Sequence, residues 1–399
     1  MKKLVVLHPP FYPTNYGFYH ALGKQVDLCV FMFGDRPKEN PSWAVDTLYK
    51  PGEHSFRLRL FGSGTYPKAE LYSPRFLAAL RKESPDAVLT VAFAPYGFYA
   101  GLCAKLLGYR FYLFCDSTAE SEAGLSALRC WSRRFLLRLC RKALAASRGT
   151  TAYFKGLCPG VEVVEGLQAA DFTLFLQRGE TDPKKREALR REWAARIGER
   201  RWGESASGAA LKGKAEFIRD FVAAPVWLGV GRMIPTKRWH WGLQLLRAQP
   251  RLHYVLVGKG EAENSLVQQA KELGVEQRFH LLPFAEALDL VRYYSAADLL
   301  YFPSECDPFG FVVGEALCCG LPVLCSRQIG AAFLIEENVN GFFGVEGEDN
   351  KGALGAARIE QILAASPGMR EACRDGAAEL SVERRAAGFA RAMELLNSV

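Results

Sequence analysis

Two carboxylates in the second half of the chain flank a helix start, with the types and spacing to hold a sugar and its phosphate. Asp307 and Glu315 stand eight positions apart in DPFGFVVGE, and Arg232 and Lys237 bracket GRMIPTK after its glycine. A carboxylate accepts hydrogen bonds from sugar hydroxyls. The helix start that the two acids flank holds phosphate. The combination suits a nucleotide-sugar. His8 and His20 are isolated and read as structural.

These residues need elements to position them. Asp298 to Ser326 reads as strand, loop, helix, strand. Leu299–Phe302 is a short apolar run ended by Pro303 and Ser304, and a polar loop from Glu305 to Pro308 follows. A helix then carries Val312, Val313, Leu317 and Cys318 inward, Gly320 and Pro322 stop it, and Val323–Cys325 resumes as a buried strand. In such a βαβ unit, ligands gather at the C-terminal ends of the strands. The helix start offers free amides and a positive dipole end to phosphate.

Val226–Val230 is the strand that leads into the Arg232–Lys237 loop. His253–Val257 leads into Gly258-Lys259-Gly260, where Glu263 replaces the third glycine of a dinucleotide fingerprint and so disfavours NAD. The first half alternates in the same way. Strands are expected at Leu4–Leu7, Asp27–Phe33, Ala87–Val91, Arg110–Cys115, Ala143–Ser147 and Val161–Val164. Helices are expected at Phe76–Lys82, opened by Ser73 and Pro74, and at Gly97–Leu107, closed by Gly108. The pattern predicts an α/β fold with doubly wound parallel sheets.

D-P-F-G-F-V-V-G-E-A-L-C-C-G-L-P-V resembles the E-x7-E signature of retaining glycosyltransferases of the GT-B fold, family four, also termed glycosyl transferases group 1. Asp307 stands where that family has its first glutamate. Gly231-Arg232 with Lys237 resembles the family's G-R-x-x-x-x-K, with Arg238 where a glycine is frequent. Glu336-Glu337 and Asn340-Gly341-Phe342 are similar to its E-x-x-x-x-N-G, with one position fewer between Glu336 and Asn340. The resemblance implies two Rossmann-like domains facing a cleft. It implies an N-terminal acceptor-side domain over 1–172, a charged linker or insertion over 173–222, a nucleotide-sugar-binding domain over 223–378, and a helix over 379–399 returning to the first domain. It further implies that Asp307 binds donor-sugar hydroxyls and Glu315 the ribose, with Phe309, Gly310, Phe311 and Val312 along sugar and phosphate. Arg232 and Lys237 would clamp the diphosphate, so that no metal or cofactor is required. Gly231, Gly258 and Gly260 would lie near the nucleotide. Gly17 would remain from a glycine-rich loop, and Asp116 from a His-Asp pair in which Cys115 replaces the histidine. The implied reaction is sugar transfer with retention in the synthesis of a cell-surface polysaccharide, lipopolysaccharide or glycolipid. An epimerase acting on a nucleotide-sugar and a non-catalytic binder are the alternatives.

The chain of 399 residues is 49% apolar and 24% charged, which fits a globular protein of two domains. No apolar run is long enough for a transmembrane helix. Eleven cysteines show no CxxC spacing, which argues against zinc and for reduced thiols in the cytoplasm. A net charge of +8 points to anionic partners: sugar-nucleotide phosphates or an anionic lipid surface, with no nucleic-acid-binding pattern. Leu125 to Lys142 reads as a basic amphipathic helix. Leu128, Trp131, Phe135 and Leu139 share one face, and Arg129, Arg133, Arg134, Arg138, Arg141 and Lys142 occupy the rest. Residues 178–221 read as an exposed charged helix followed by a flexible insertion.

Overall fold

The computed structural model describes residues 1–36, 44–45, 49–50, 52–62, 75–203, 207–345 and 354–396. The Ser73-Pro74 helix start and the last residues of the final helix lie outside them. The chain divides into two compact units, Met1–Asp171 with Ser381–Val399, and Phe172–Leu380.

The first unit is built on a sheet of β1 (Lys3–His8), β2 (Asp27–Met32), β3 (Arg57–Leu60), β4 (Ala87–Val91), β5 (Arg110–Cys115), β6 (Lys142–Ala145) and β7 (Val163–Glu165). The order is β3-β2-β1-β4-β5-β6-β7 with parallel pairings. KLVVLH, DLCVFM and RFYLFC are apolar almost throughout because helices cover both faces of a parallel sheet. Those helices are α1 (Pro13–Gly23), α2 (Arg75–Glu83), α3 (Pro95–Leu107), α4 (Ala127–Leu139) and α5 (Arg148–Leu157). Gly108 closes α3 in the left-handed conformation, at φ 76°, the helix stop the sequence predicts.

The sequence patterns miss β3, RLRL, because an edge strand alternating arginine and leucine carries no continuous apolar run. Its arginines are held from outside the strand. Arg57 bonds Glu83 at 3.0 Å and Asp27 at 3.1 Å, and Arg59 pairs with Glu83.

The second unit carries β8 (Val226–Val230), β9 (His253–Val257), β10 (Phe279–Leu282), β11 (Leu299–Phe302), β12 (Val323–Cys325) and β13 (Gly341–Phe343), in the order β10-β9-β8-β11-β12-β13. Its pairings are likewise parallel. In both sheets the chain winds outward one way and then the other, reversing between β1 and β4 and between β8 and β11. That reversal opens the loops after those strands for a ligand. The expected doubly wound architecture is present in both units.

Helices of the second unit are α6 (Thr173–Arg178), α7 (Pro183–Trp202), α8 (Gly208–Ala223), α9 (Trp241–Ala248), α10 (Glu263–Glu272), α11 (Ala287–Ala296), α12 (Phe311–Cys318), α13 (Ala356–Ala365) and α14 (Arg370–Ala377). Residues 178–221 depart from the expected insertion, since α7 and α8 fold onto the second unit. Trp193 of α7 is buried, stacks on Tyr293 at 5.1 Å and meets Phe221 of α8 edge-on at 5.6 Å. Phe217 and Phe221 cover a buried histidine pair in which His253 Nδ1 lies 3.0 Å from His280 Nε2, and Asp220 Oδ2 lies 3.0 Å from His253 Nε2. One buried stripe on an otherwise charged helix explains why composition reads as exposed.

The final helix, α15 (Val382–Ala392), belongs to the first unit. Phe389 packs edge-on against Phe18 of α1 at 4.9 Å and Phe114 of β5 at 5.2 Å. The Tyr112 hydroxyl donates to Met393 O at 2.8 Å.

Candidate functional site

The loops after β8 and β11, flanking the point where the second sheet reverses, meet through Lys237 and Asp307. Lys237 ends a single turn of 3-10 helix and is 8% exposed. Its ammonium pairs with Asp307 Oδ2 and sits 4.8 Å from the centre of the Phe302 ring. Phe302 is the last residue of β11, so a cation–π contact and an ion pair fix the lysine between the two loops. Asp307 Oδ1 accepts the Phe309 amide at 3.1 Å, while its carbonyl accepts the Gly330 amide at 2.9 Å. Gly330 admits no side chain, because a β-carbon there would lie 2.0 Å from Pro308 O. Asp307 is thus the knot of the loop, with both carboxylate oxygens engaged inside the protein.

Gly310 follows at φ 92°, a left-handed backbone that favours glycine. It turns the chain into α12, whose start has no side-chain cap, leaving first-turn amides for an anion. Phe309 is buried, and Phe311 and Val312 are partly exposed beside those amides. One turn further on, Glu315 is half-buried. The Tyr294 hydroxyl, from α11, donates to Glu315 Oε2 at 2.7 Å. Burial pushes the Glu315 carboxyl up to about 7, against the Tyr294 hydrogen bond that pulls it down.

Arg232 is exposed, and among the described residues its side chain makes no ion pair. Its carbonyl accepts the Trp239 indole N–H at 2.9 Å, which anchors the loop from below. The β8 and β9 loops are stitched together: Gly231 N–H donates to Val257 O at 3.0 Å and Met233 N–H to Lys259 O at 2.9 Å. A β-carbon on Gly258 would lie 2.0 Å from Gly231 O, and one on Gly260 2.3 Å from Met233 O. Both glycines therefore serve the close approach of two backbones, which sets where Arg232 and Lys237 stand.

Arg238 occupies the left-handed region at φ 52°, which explains why glycine is frequent there in the family pattern. Arg238 is not crowded. Its guanidinium pairs with Glu305 at 2.9 Å and lies 4.6 Å from the Trp241 ring centre, contacts that offset the backbone cost and tie the two loops together a second time.

The structure brings Arg232, Lys237, Asp307, Phe309, Gly310, Phe311, Val312 and Glu315 to adjoining loops and the α12 start of one unit. Gly17 and Asp116 belong to the other unit. Gly17 is not in a loop. It lies in the second turn of α1, where a β-carbon would lie 1.8 Å from Asp171 Oδ2. Asn15, its neighbour, accepts the Tyr12 amide and donates to Ala169 O, each at 2.9 Å. That corner is architecture. Asp116 follows β5 and is half-buried. Cys115 before it is buried, which pushes its thiol up to about 12, and its sulfur accepts the Ser117 amide at 3.3 Å.

The Asn340-Gly341 pair is also structural. Asn340 accepts the Glu336 amide at 2.8 Å and donates to Leu334 O at 2.9 Å, and Gly341 lets β13 approach Val323 O. Sequence reasoning misses Tyr294 and Phe302. Tyr294 sits twenty-one positions before Glu315 with no motif around it, and Phe302 reads simply as strand.

Residues 218–380 match the family profile described as glycosyl transferases group 1. A D-inositol 3-phosphate glycosyltransferase from Mycobacterium sp. (strain KMS) is 37% identical over 163 residues, which is 38% of this chain and 35% of the relative. The lipopolysaccharide core biosynthesis glycosyltransferase LpsE of Rhizobium meliloti (strain 1021) is 30% identical over 142 residues, 35% of this chain and 40% of the relative. The chain therefore aligns with little more than a third of the length of these curated relatives. A crystal structure of Anabaena Alr3699/HepE in complex with UDP superposes with a TM-score of 0.72 at 19% identity, covering 99% of this chain and 100% of that one. That likeness concerns the fold. Residues 218–380 thus resemble the glycosyl transferases group 1 family, and the two parallel-sheet units have the GT-B fold.

Proposed function

We propose that the protein transfers a sugar from a nucleoside diphosphate sugar, with UDP as the carrier, to an acceptor, with retention at the anomeric carbon. The observation that carries this reading is the Lys237–Asp307 pair beside the uncapped start of α12, where the β8 and β11 loops come together. The α12 amides and Lys237 take the diphosphate, Arg232 adds a second cation, and Glu315 takes the ribose hydroxyls. These cations supply the charge that a metal ion provides in other phosphate sites, so the reaction proceeds without one. Asp307 orients Lys237 and faces the donor sugar. No side chain is placed as nucleophile, and the leaving phosphate takes the acceptor proton on the face it departs from. Anabaena HepE, of the same fold, has been crystallised with UDP and with UDP-glucose, which favours UDP as the base to test first.

Calorimetric titration with UDP, GDP and their sugars should show binding of the uridine set, and incubation with acceptors should release UDP only when a product forms. An α-linked donor should give an α-linked product by NMR. Release of free sugar or interconversion of the donor without acceptor would instead favour the epimerase reading.

We also propose a membrane-adsorbed protein with a glycolipid or lipid-linked acceptor. On α4, Leu128 is 73% and Trp131 55% exposed, and the adjoining α3 leaves Leu106 86% exposed. Phe98 of α3 and Phe135 of α4 join the two helices, with ring centres 5.1 Å apart. Arg129, Arg134 and Arg138 stand exposed on α4. Arg133 does not belong to this face: it pairs with Glu122 at 2.6 Å and donates to the Tyr153 hydroxyl at 2.7 Å. Among the described residues no helix is long and apolar enough to cross a membrane. Liposomes containing anionic lipid should bind the protein and release it as salt rises. Because each basic residue contributes about 1 kcal/mol near such a surface, reversing Arg129, Arg134 and Arg138 to glutamate should weaken binding roughly a hundredfold or more. Binding that ignores both salt and the triple variant would remove this role.

A further inference from the structure

We propose that an arginine-lined cavity at the N-terminal edge of the second sheet binds an organic phosphate, at the opposite edge from the Lys237–Asp307 site. The cavity, about 490 Å³, has Arg186, Arg190, Arg251 and Arg370 as its lining cations and Asp298 as its single lining acid. Arg186 and Arg190 project from successive turns of α7, Arg370 opens α14, Asp298 immediately precedes β11, and Arg251 stands just before β9. The volume lies in the range of small-molecule sites.

The charges do not balance. Asp298 Oδ1 takes Arg190 at 2.6 Å, Arg186 at 3.3 Å and Arg370 at 3.9 Å, and its Oδ2 accepts the Val226 amide at 2.9 Å. One carboxylate thus serves three guanidinium groups, and Arg251 on the rim adds a fourth positive charge. Part of this cluster has a local purpose, because the guanidinium groups also cap the end of α11. Arg186 donates to Ser295 O and Ala297 O, Arg190 to Ala296 O, and Arg370 to Ala297 O. A helix end carries only about half a negative charge. Capping and Asp298 together leave roughly two and a half positive charges uncompensated around an open cavity.

The arginines repel one another. Burial, followed by the neighbouring Arg186 charge, lowers the Arg370 guanidinium to about 9. An anion placed among them relieves that repulsion, and guanidinium geometry matches phosphate oxygens in pairs. The room beyond a single phosphate group favours an organic phosphate over the bare ion.

The test is calorimetric titration of the full chain with ribose 5-phosphate and with orthophosphate, on wild type, Arg251→Ala and Lys237→Ala. Arg251 suits the test because its guanidinium bonds no described residue, so its removal leaves the α11 cap intact. Ribose 5-phosphate should bind wild type and Lys237→Ala alike and bind Arg251→Ala about tenfold more weakly, the effect of one charge-assisted contact. Orthophosphate should bind more weakly than ribose 5-phosphate. No binding by wild type, unchanged binding by Arg251→Ala, or equal affinity for orthophosphate would each overturn the assignment. Loss confined to Lys237→Ala would place the phosphate in the nucleotide site and overturn it as well.

Discussion

Lys237→Ala should weaken nucleoside diphosphate binding by more than tenfold, and by more than the loss of one contact explains. A hydrogen bond to a charged group contributes about 1.5–3 kcal/mol, which alone corresponds to roughly ten- to a hundredfold. Removing the ammonium also strands the Asp307 carboxylate, which is mostly buried and would then face the incoming diphosphate with no counter-charge. Lys237→Ala combined with Asp307→Asn should therefore bind more tightly than Lys237→Ala alone. That sign distinguishes a clamp from a surface cation, and unchanged affinity in the single variant would take Lys237 out of the site.

Asp307→Asn alone preserves an acceptor for the Phe309 amide and loses the charge that orients Lys237. On the proposed reading Asp307 faces the sugar as it distorts, and this change should then lower kcat more than it raises KM. Restoring the family's glutamate by Asp307→Glu should also reduce activity, since the present pairing distances are set by the shorter side chain.

Between pH 6 and 8, affinity for UDP should rise with pH. Glu315 in the unliganded protein titrates at about 7 because burial disfavours its charge. On the proposed reading the carboxylate, which keeps lone pairs to accept beyond the one that takes the Tyr294 hydroxyl, is the form that serves ribose hydroxyls. Binding therefore favours the ionised form and releases a proton, and the gain is at most tenfold per pH unit below 7. Stability of the unliganded protein runs the other way. A carboxyl raised from 4.5 to about 7 favours the folded state fully below 4.5, and that contribution is lost as pH rises through 7. Glu315→Gln should flatten both slopes while raising KM more than it lowers kcat. Calorimetry in buffers of different ionisation enthalpy reads the released proton directly. A pH-independent affinity in wild type would mean that Glu315 exchanges no proton on binding.

The grouping of Arg232, Lys237, Asp307 and Glu315 was legible because these residues lie in short contiguous stretches. A strand end, two cations five apart and an acid pair astride a helix start each need only local structure. Positions that depend on distant partners were not legible in that way. Gly17 reads as a phosphate-loop glycine and is in fact emptied for Asp171, far along the chain. Arg238 stands where the resembled pattern has glycine, yet the loop holds it at positive φ through Glu305 and Trp241. The hairpin of α7 and α8 was hidden by its charge, since a helix with one buried stripe has the composition of an exposed one. The arginine cavity was hidden for the same reason: its cations come from separate stretches that only the fold assembles.

The return of α15 to the first unit has a consequence for how the chain is made. Its Phe389 fills a gap between Phe18 and Phe114, and Met393 satisfies the Tyr112 hydroxyl. The second unit is one uninterrupted stretch, 172–380, whereas the first needs both ends of the chain. On a ribosome, the second unit can therefore complete its core while the first, although synthesised earlier, still lacks a wall. Of the two units, the one that emerges first is the one finished last.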